Sequence, residues 1–563
     1  MRKTLLGAAA CTLVAGICTL NVSCSSTDCS HNGSCGKYVG PDAGGAAGSG
    51  GNAGTGGTAG GGGSAGADGG AGTGGSAGTG GSAGSDAGKC DATKSPADAS
   101  CVIDEQYGVF VSPKGSDSAG DGSMAAPYAT LGKALTEAKS AAKRVYACAD
   151  GGDYAETLSI DSALDGEEVF GGFQCSDWTY DASLQAKVAS PDPLAATVKG
   201  LATGLHMEDF EIDAADATKA GDSSFAMLVD SSQSVVLRHV KLVAGKGADG
   251  AAGTDGANGA DGATAGSAQD GKKAVCVSAG NTPPATQAGG AWPAASACGS
   301  LGGKGGTGIN AAKGSDGNPG TQQSNVTPPN FDNSGTASTA PSTNAGAGLG
   351  GSNGNPGTLG TAAAAAGTFT ASGFAAADGK AGTKGFPGQG GGGGGASAAT
   401  GLPLCTGASG GAGGMGGCGG AKGTGGGGGG ASVALVSWAS NVTLDSCTVV
   451  AADGGKGGRG GHAGAGGHGQ AGGGAGLDAS GIGKGGRGGD GGSGGPGGSG
   501  SGGTGGPSYA LVFHGTQPTQ AGAVTLTPGS GGAKGKGGAL TGSGLNPAPD
   551  GTAGDSQQSF EQK

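Results

Sequence analysis

Apolar residues in this chain fall into a few short alternating runs, separated by long stretches that contain almost none. Residues 225–243 read FAMLVDSSQSVVLRHVKLV and residues 432–450 read SVALVSWASNVTLDSCTVV, and the two align without a gap. LHMEDFEI at 205–212 fits the second half of the same template, and YALV at 509–512 fits the first half. Short alternation of apolar and polar residues marks a strand with one buried face. A template that returns at intervals points to a repeating β-architecture whose units bury their faces only by stacking. Upstream, VFVS at 109–112, RVYAC, ETLSI and EEVFGGF read as further short strands. Between them Leu131, Ala134, Leu135, Ala138 and Ala142 share one helical face, with Thr130 placed as its N-cap. The expectation is an all-β stack closed at one end by that helix.

In a parallel stack, equivalent residues of successive units lie ~4.8 Å apart, so the alignment predicts which side chains touch. The inward columns come out apolar: Leu205, Val235 and Val442; Met207, Leu237 and Leu444; Phe210, Val240 and Cys447; Ile212, Leu242 and Val449. The outward columns come out complementary in charge, with Glu208 beside Arg238 beside Asp445, and Glu211 beside Lys241. Between the inward pairs sit Asp209, His239 and Ser446, where the chain must turn. Two large insertions, about 245–431 and 453–507, leave at the same template position and should emerge on one side.

The run VFVSPKGSDSAGDGSMAAPYATLGKALTEA, with RVYACADGGDYAETLSI and EVFGGF after it, resembles the N-terminal signature of a bacterial family of unknown function. That family lies within the right-handed parallel β-helix, pectate-lyase-like superfamily. The resemblance implies a right-handed parallel β-helix with an N-terminal capping helix; it does not imply lyase activity. The remainder is similar to glycine-rich repetitive (PGRS-type) bacterial surface lipoproteins. The start of the chain resembles a lipoprotein signal: Arg2 and Lys3, an uncharged stretch from Leu5 to Leu20, then small residues up to Cys24. Such a signal implies diacylation of Cys24 and a lipid-anchored place at the outer membrane or cell surface. Cleavage without lipidation would leave the protein extracellular.

Composition narrows the partners. With 142 glycines and 4% aromatic residues among 563, the core-forming material is far shorter than the chain. A net charge of −12, with Lys and Arg dispersed among glycines, offers no footprint for nucleic acid. Export makes disulfides plausible, and neighbour pairing is the simplest connectivity: Cys29 with Cys35, Cys90 with Cys101, Cys148 with Cys175, Cys276 with Cys298, and Cys405 with Cys418. The Cys148 to Cys175 pair would staple adjacent coils, and Cys447 reads as a small buried apolar residue.

The organisation follows: signal 1–24, Gly/Ala/Ser/Thr-rich tether 25–100, stack 101–245, glycine-rich insertion 246–430, strand unit 431–452, insertion 453–507, strand unit 508–528, and low-complexity tail 529–563. Inside the insertions glycine recurs at every third position, as at Gly247, Gly250, Gly253, Gly256, Gly259 and Gly262. That period permits packed threefold helices of the polyglycine II kind. Mobile loops are nevertheless the favoured reading, because GFPGQ and the Asn/Pro segments should break regular packing.

Candidate chemistry is sparse. The cluster Glu208, Asp209, Glu211 and Asp213 invites a cation or polysaccharide-lyase reading, but the ladder to Arg238 and Lys241 accounts for the carboxylates without one. His462 and His468, six residues apart in glycine, could hold a metal weakly; solvated side chains are the default. No catalytic residue, metal site or cofactor is assigned. The functional expectation is an exported, lipid-anchored structural or adhesion/matrix protein displaying glycine-rich loops. Its partners are the membrane through its lipid and extracellular polysaccharide or another surface protein. The alternative is a carbohydrate-active β-helix enzyme of lyase or hydrolase type.

Overall fold

The computed structural model describes residues 90–293, 298–327, 332–539 and 546–563. The signal, Cys24, Cys29, Cys35 and the tether up to residue 89 lie outside the described residues. Three parallel sheets organise the chain. The seven-stranded sheet runs, in spatial order, Gly108–Val111, Arg144–Cys148, Glu167–Phe173, Leu205–Glu208, Val235–Arg238, Val442–Asp445 and Thr519–Ala521. The five-stranded sheet holds Ala186–Ala189, Phe210–Asp213, Lys241–Val243, Thr448–Val450 and Thr525–Thr527. The six-stranded sheet holds Leu158–Ile160, Leu194–Lys199, Ser224–Asp230, Ser432–Trp438, Ser508–His514 and Ser556–Glu561. From residue 194 onward the chain visits the six-, seven- and five-stranded sheets in that fixed rotation. One such passage is a rung.

The expected register is present. Val235 pairs with Leu205 and Val442, Leu237 with Met207 and Leu444, and Leu242 with Ile212 and Val449. All of these, with Phe210, Val240 and Cys447, lie in one buried core. The helix spans Leu131–Ala141, and the Thr130 hydroxyl accepts from the Lys133 N–H. Its buried Leu131, Ala134, Leu135 and Ala138 close the core at the first rungs, whereas Ala142 is its left-handed C-cap at φ 53°. The far end closes by chemistry instead of a helix. Facing Leu444, Leu511 and Phe513, the last strands present Gln520, Ser559 and Glu561, which end the apolar columns.

Every insertion leaves after a strand of the five-stranded sheet and returns into the six-stranded one. A serine at the start of each returning strand keeps this corner shut. Ser224 Oγ accepts from Gly245 N–H, and Ser432 Oγ donates to Gly245 O and accepts from Ala452 N–H. Ser508 Oγ donates to Ala452 O and accepts from Gly529 N–H, and Ser556 Oγ donates to Gly529 O. Each departing backbone is thereby held between two rungs, and the stack stays continuous although the intervening chain has gone elsewhere.

The described residues of the insertions are ordered in rows, and this overturns the expectation of mobile loops there. Segment 247–262 donates from every third N–H to segment 453–468, from Gly250 to Lys456 O through Gly262 to His468 O. Segment 455–476 donates antiparallel to 409–430, and 485–506 donates antiparallel to 455–476. Segments 379–394 and 411–426 add further antiparallel rows. A threefold extended helix turns the same side to a given neighbour at every third residue, so the period of glycine is the period of contact.

Glycine is required because the neighbouring carbonyls sit where a side chain would begin. A Cβ on Gly413 would lie 1.8 Å from Gly391 O, and one on Gly458 would lie 1.9 Å from Ala251 O. The number of glycines per turn reports how many sides are covered. Segment 247–262 has one per turn and an exposed Ala/Asp face; segment 454–461 has two, leaving Lys456 and Arg459 outside. Residues 390–395, all glycine, are enclosed on every side by carbonyls of residues 301, 304, 333, 336, 486 and 489. GFPGQ does not interrupt this order. Gly385 and Gly388 keep their bonds to Gly420 O and Gly417 O, and Pro387 takes a place between them that needs no donor.

Two boundaries and two disulfides change. Residues 90–100, expected in the tether, belong with the stack: the Cys90–Cys101 disulfide closes a strap whose Lys94 and Ala92 carbonyls accept from the Arg144 guanidinium. Residues 529–539 and 546–563 are not a tail, since they add two rows to the bundle, with Gly532 bonded to Gly506 O and Gly551 to Gly535 O, and the strand Ser556–Glu561. Inside the insertion the expected neighbour disulfides exchange partners to Cys276–Cys405 and Cys298–Cys418. Outgoing and returning rows run antiparallel, so residues more than a hundred apart come side by side; Cys276 and Cys405 are direct strand partners. Cys90–Cys101 and Cys148–Cys175 form as expected, the latter tying the end of strand Arg144–Cys148 to the loop after the neighbouring strand Glu167–Phe173.

Candidate functional site

The charged column lies on the outer face of the seven-stranded sheet, where strand pairing sets Glu208, Arg238 and Asp445 side by side. Arg238 Nη1 stands 3.6 Å from Glu208 Oε1, and its Nε stands 3.7 Å from Asp445 Oδ2. Glu208 points away from the core, as the ladder expected, but it is not exposed. It is covered completely, with His206 Nε2 at 3.1 Å from its other oxygen. On the five-stranded sheet Lys241 reaches Glu211 at 3.0 Å as expected. Lys187, one rung earlier and not foreseen, lies 3.0 Å from Glu211 and 2.6 Å from Asp213. Burial alone would raise the Glu211 carboxyl, but hydrogen bonds from Lys187 and Lys241 outweigh it and hold the group below its usual range.

At the corner between these sheets, Asp209, His239 and Ser446 all adopt the left-handed conformation, with φ of 61°, 49° and 56°. This common turn brings Asp209 under His239, whose Nδ1 is 3.5 Å away, and against the Tyr180 hydroxyl, which donates at 2.7 Å. Sequence spacing had set Arg238 and His239 in different directions; the corner gathers both over the two carboxylates. Burial, reinforced by the neighbouring Glu208, pushes the Asp209 carboxyl up to about 6 against the pull of Tyr180 and His239. One oxygen each of Glu208 and Asp209 makes no hydrogen bond. Both residues have no exposed surface, so no substrate oxygen can reach them in this arrangement. What the corner can do chemically is hold adjacent rungs in register through paired charges.

The insertion histidines are part of the bundle. His462 Nδ1 accepts from Ala539 N–H at 3.0 Å, and the backbone N–H groups of His462 and His468 donate to Asp255 and Asp261 Oδ1. These last bonds belong to a ladder that sequence reasoning missed. Asp249, Asp255, Asn258 and Asp261 each accept the N–H of the residue 207 positions later, on the adjacent row. Asn344 and Asn353 do the same for Lys484 and Ser493, 140 positions later. The signal was available, since each acceptor directly precedes a bundle glycine except Asn344, which is two before Gly346. Compared with known proteins, the chain matches no family model, no curated protein and no solved structure.

Proposed function

We propose that the three sheets form a right-handed parallel β-helix of the pectate-lyase-like kind, and that it serves as the base of an exported, lipid-anchored surface protein whose glycine bundle acts in structure, adhesion or matrix contact. The observation that carries this reading is the union of stack and bundle. Rows leave one corner, lie in register with the rungs, and are cross-linked at Cys276–Cys405 and Cys298–Cys418. At about 3.1 Å per residue, a row such as 407–431 reaches about 75 Å. A rod of that length, with its charged side chains such as Lys456 and Arg459 on the outside, suits contact at a distance from the cell. Disulfides within it suit an oxidising compartment. The glycine-rich repetitive surface lipoproteins that the composition resembles fit the same role.

The enzyme reading is the weaker one, because the carboxylates of Glu208 and Asp209 are covered and face Arg238, His239 and Tyr180. Incubation of the purified chain with neutral and acidic polysaccharides discriminates the two. The scaffold reading expects no new reducing or unsaturated ends, and their appearance would overturn it. Anchoring is tested separately by fractionating cells that express the native chain or Cys24→Ala, with loss of the membrane-bound pool expected for the variant.

A further inference from the structure

Away from the bundle, and sharing only Tyr180 with the charged corner, a cleft of about 600 Å³ opens between the N-terminal strap and the loop after strand Glu167–Phe173. Its apolar surface is supplied by Ile103, Met124 and Tyr180, with Trp178 beneath. Its ionisable rim groups, besides Tyr180, are Asp98 and Asp177, both exposed. Hydrogen bonds from Thr179 hold the Asp177 carboxyl below its usual range, so it is an acceptor at neutral pH. Trp178 is held at φ 61°, a conformation a bulky residue adopts only when its surroundings impose it. Those surroundings are the Met124 carbonyl, which accepts from its indole N–H at 3.0 Å, and the Phe110 ring, edge-on at 4.7 Å. Each wall is pinned by its own disulfide, Cys90–Cys101 in the strap and Cys148–Cys175 in the loop.

We propose that this cleft is a binding site for a glycan that carries no acidic groups. A volume of this size fits one or two pyranose rings, and a wall fixed in advance reduces the ordering cost of binding. Sugar C–H faces would rest on Tyr180, Met124 and Ile103, while hydroxyl or amino groups donate to Asp98 and Asp177. A uronate or sulfate would bring negative charge against two carboxylates with no lysine, arginine or histidine in the lining to offset it. The site stands on the cleft alone, whatever role the bundle has.

Calorimetric titration of the full chain with cellohexaose, mannohexaose, chitosan hexamer and hexagalacturonate tests it. Binding of at least one of the first three at about 1 mM or tighter is expected, with none to hexagalacturonate. Ala97→Arg and Thr179→Arg, both at exposed lining positions, should each weaken that binding about tenfold or more without lowering the melting temperature. Absence of binding to all three non-acidic sugars, preference for hexagalacturonate, or binding indifferent to both variants would each overturn the assignment.

Discussion

The rung stack and the glycine bundle are two ways of building an interior from one chain. In the stack, side chains such as Leu237, Leu444 and Phe210 fill the space between sheets and the backbone stays at the periphery. In the bundle, most of the interior is backbone: rows approach until a Cβ would overlap a carbonyl, and the side chains that remain inside are few and mostly small, such as Ala412, Ser409 and Cys418. The first interior is held by apolar burial, worth about 25 cal/mol per Å². The second relies on hydrogen bonds of about 1 kcal/mol net each and must offset the large conformational entropy of glycine. That balance explains the staples. A disulfide closing a loop of more than about 100 residues removes roughly 5 kcal/mol of unfolded-state freedom, and the insertion has two of them.

The contrast predicts opposite responses to a single methyl group. Gly392→Ala or Gly413→Ala, where the new carbon meets main-chain oxygen at 1.7 and 1.8 Å, should destabilise the bundle by about 3 kcal/mol. Gly350→Ala, exposed and with its nearest neighbour at 3.5 Å, should change little. Calorimetric melting of the three variants checks this, and equal behaviour would break the distinction. In the stack the sensitive direction is reversed: Leu444→Ala should cost about 2–5 kcal/mol by leaving a cavity. Removing Cys276–Cys405 by a double serine substitution should cost the bundle about 2–5 kcal/mol, read as a lower midpoint in denaturant.

Smaller effects sharpen the picture. Asp255→Ala removes one exposed ladder acceptor and the Arg459 partner, and should weaken the row only locally, seen as faster exchange of the His462 amide. The stack also carries a pH signature of raised carboxyl groups. Burial pushes Asp209 to about 6 and, against the pull of Lys139, Glu167 to about 7. Both bind a proton more tightly folded than unfolded. Their contribution therefore favours the folded state as pH falls from about 7 toward the unfolded values, and is lost as pH rises through the folded ones. Melting between about pH 8 and pH 5 should show a rise on acidification that shrinks in the Asp209→Asn, Glu167→Gln double variant.

The register of the stack was legible because two long copies of the template survive, and inward apolar columns admit only one alignment of strands. The charged ladder followed from the same alignment. How the Asp209 corner is covered did not, because Tyr180, which donates to Asp209, comes from a loop outside the template. The bundle was less legible for a different reason. Glycine reads locally as conformational freedom, and its period has meaning only once neighbours are in place. The acceptors at Asp255, Asn258 and Asp261 and the serines at 224, 432, 508 and 556 were the local signs of those neighbours. The insertion disulfides were misjudged for the same cause, since neighbour pairing presumes a chain that does not fold back on itself.

Amide hydrogen exchange across residues 245–431 tests the ordered bundle most directly. The structure predicts strong protection throughout 390–395 and, in the outer row 247–262, protection with a period of three centred on Gly250, Gly253, Gly256 and Gly259. Uniformly rapid exchange in both segments, with protection confined to the strands of the three sheets, would contradict it.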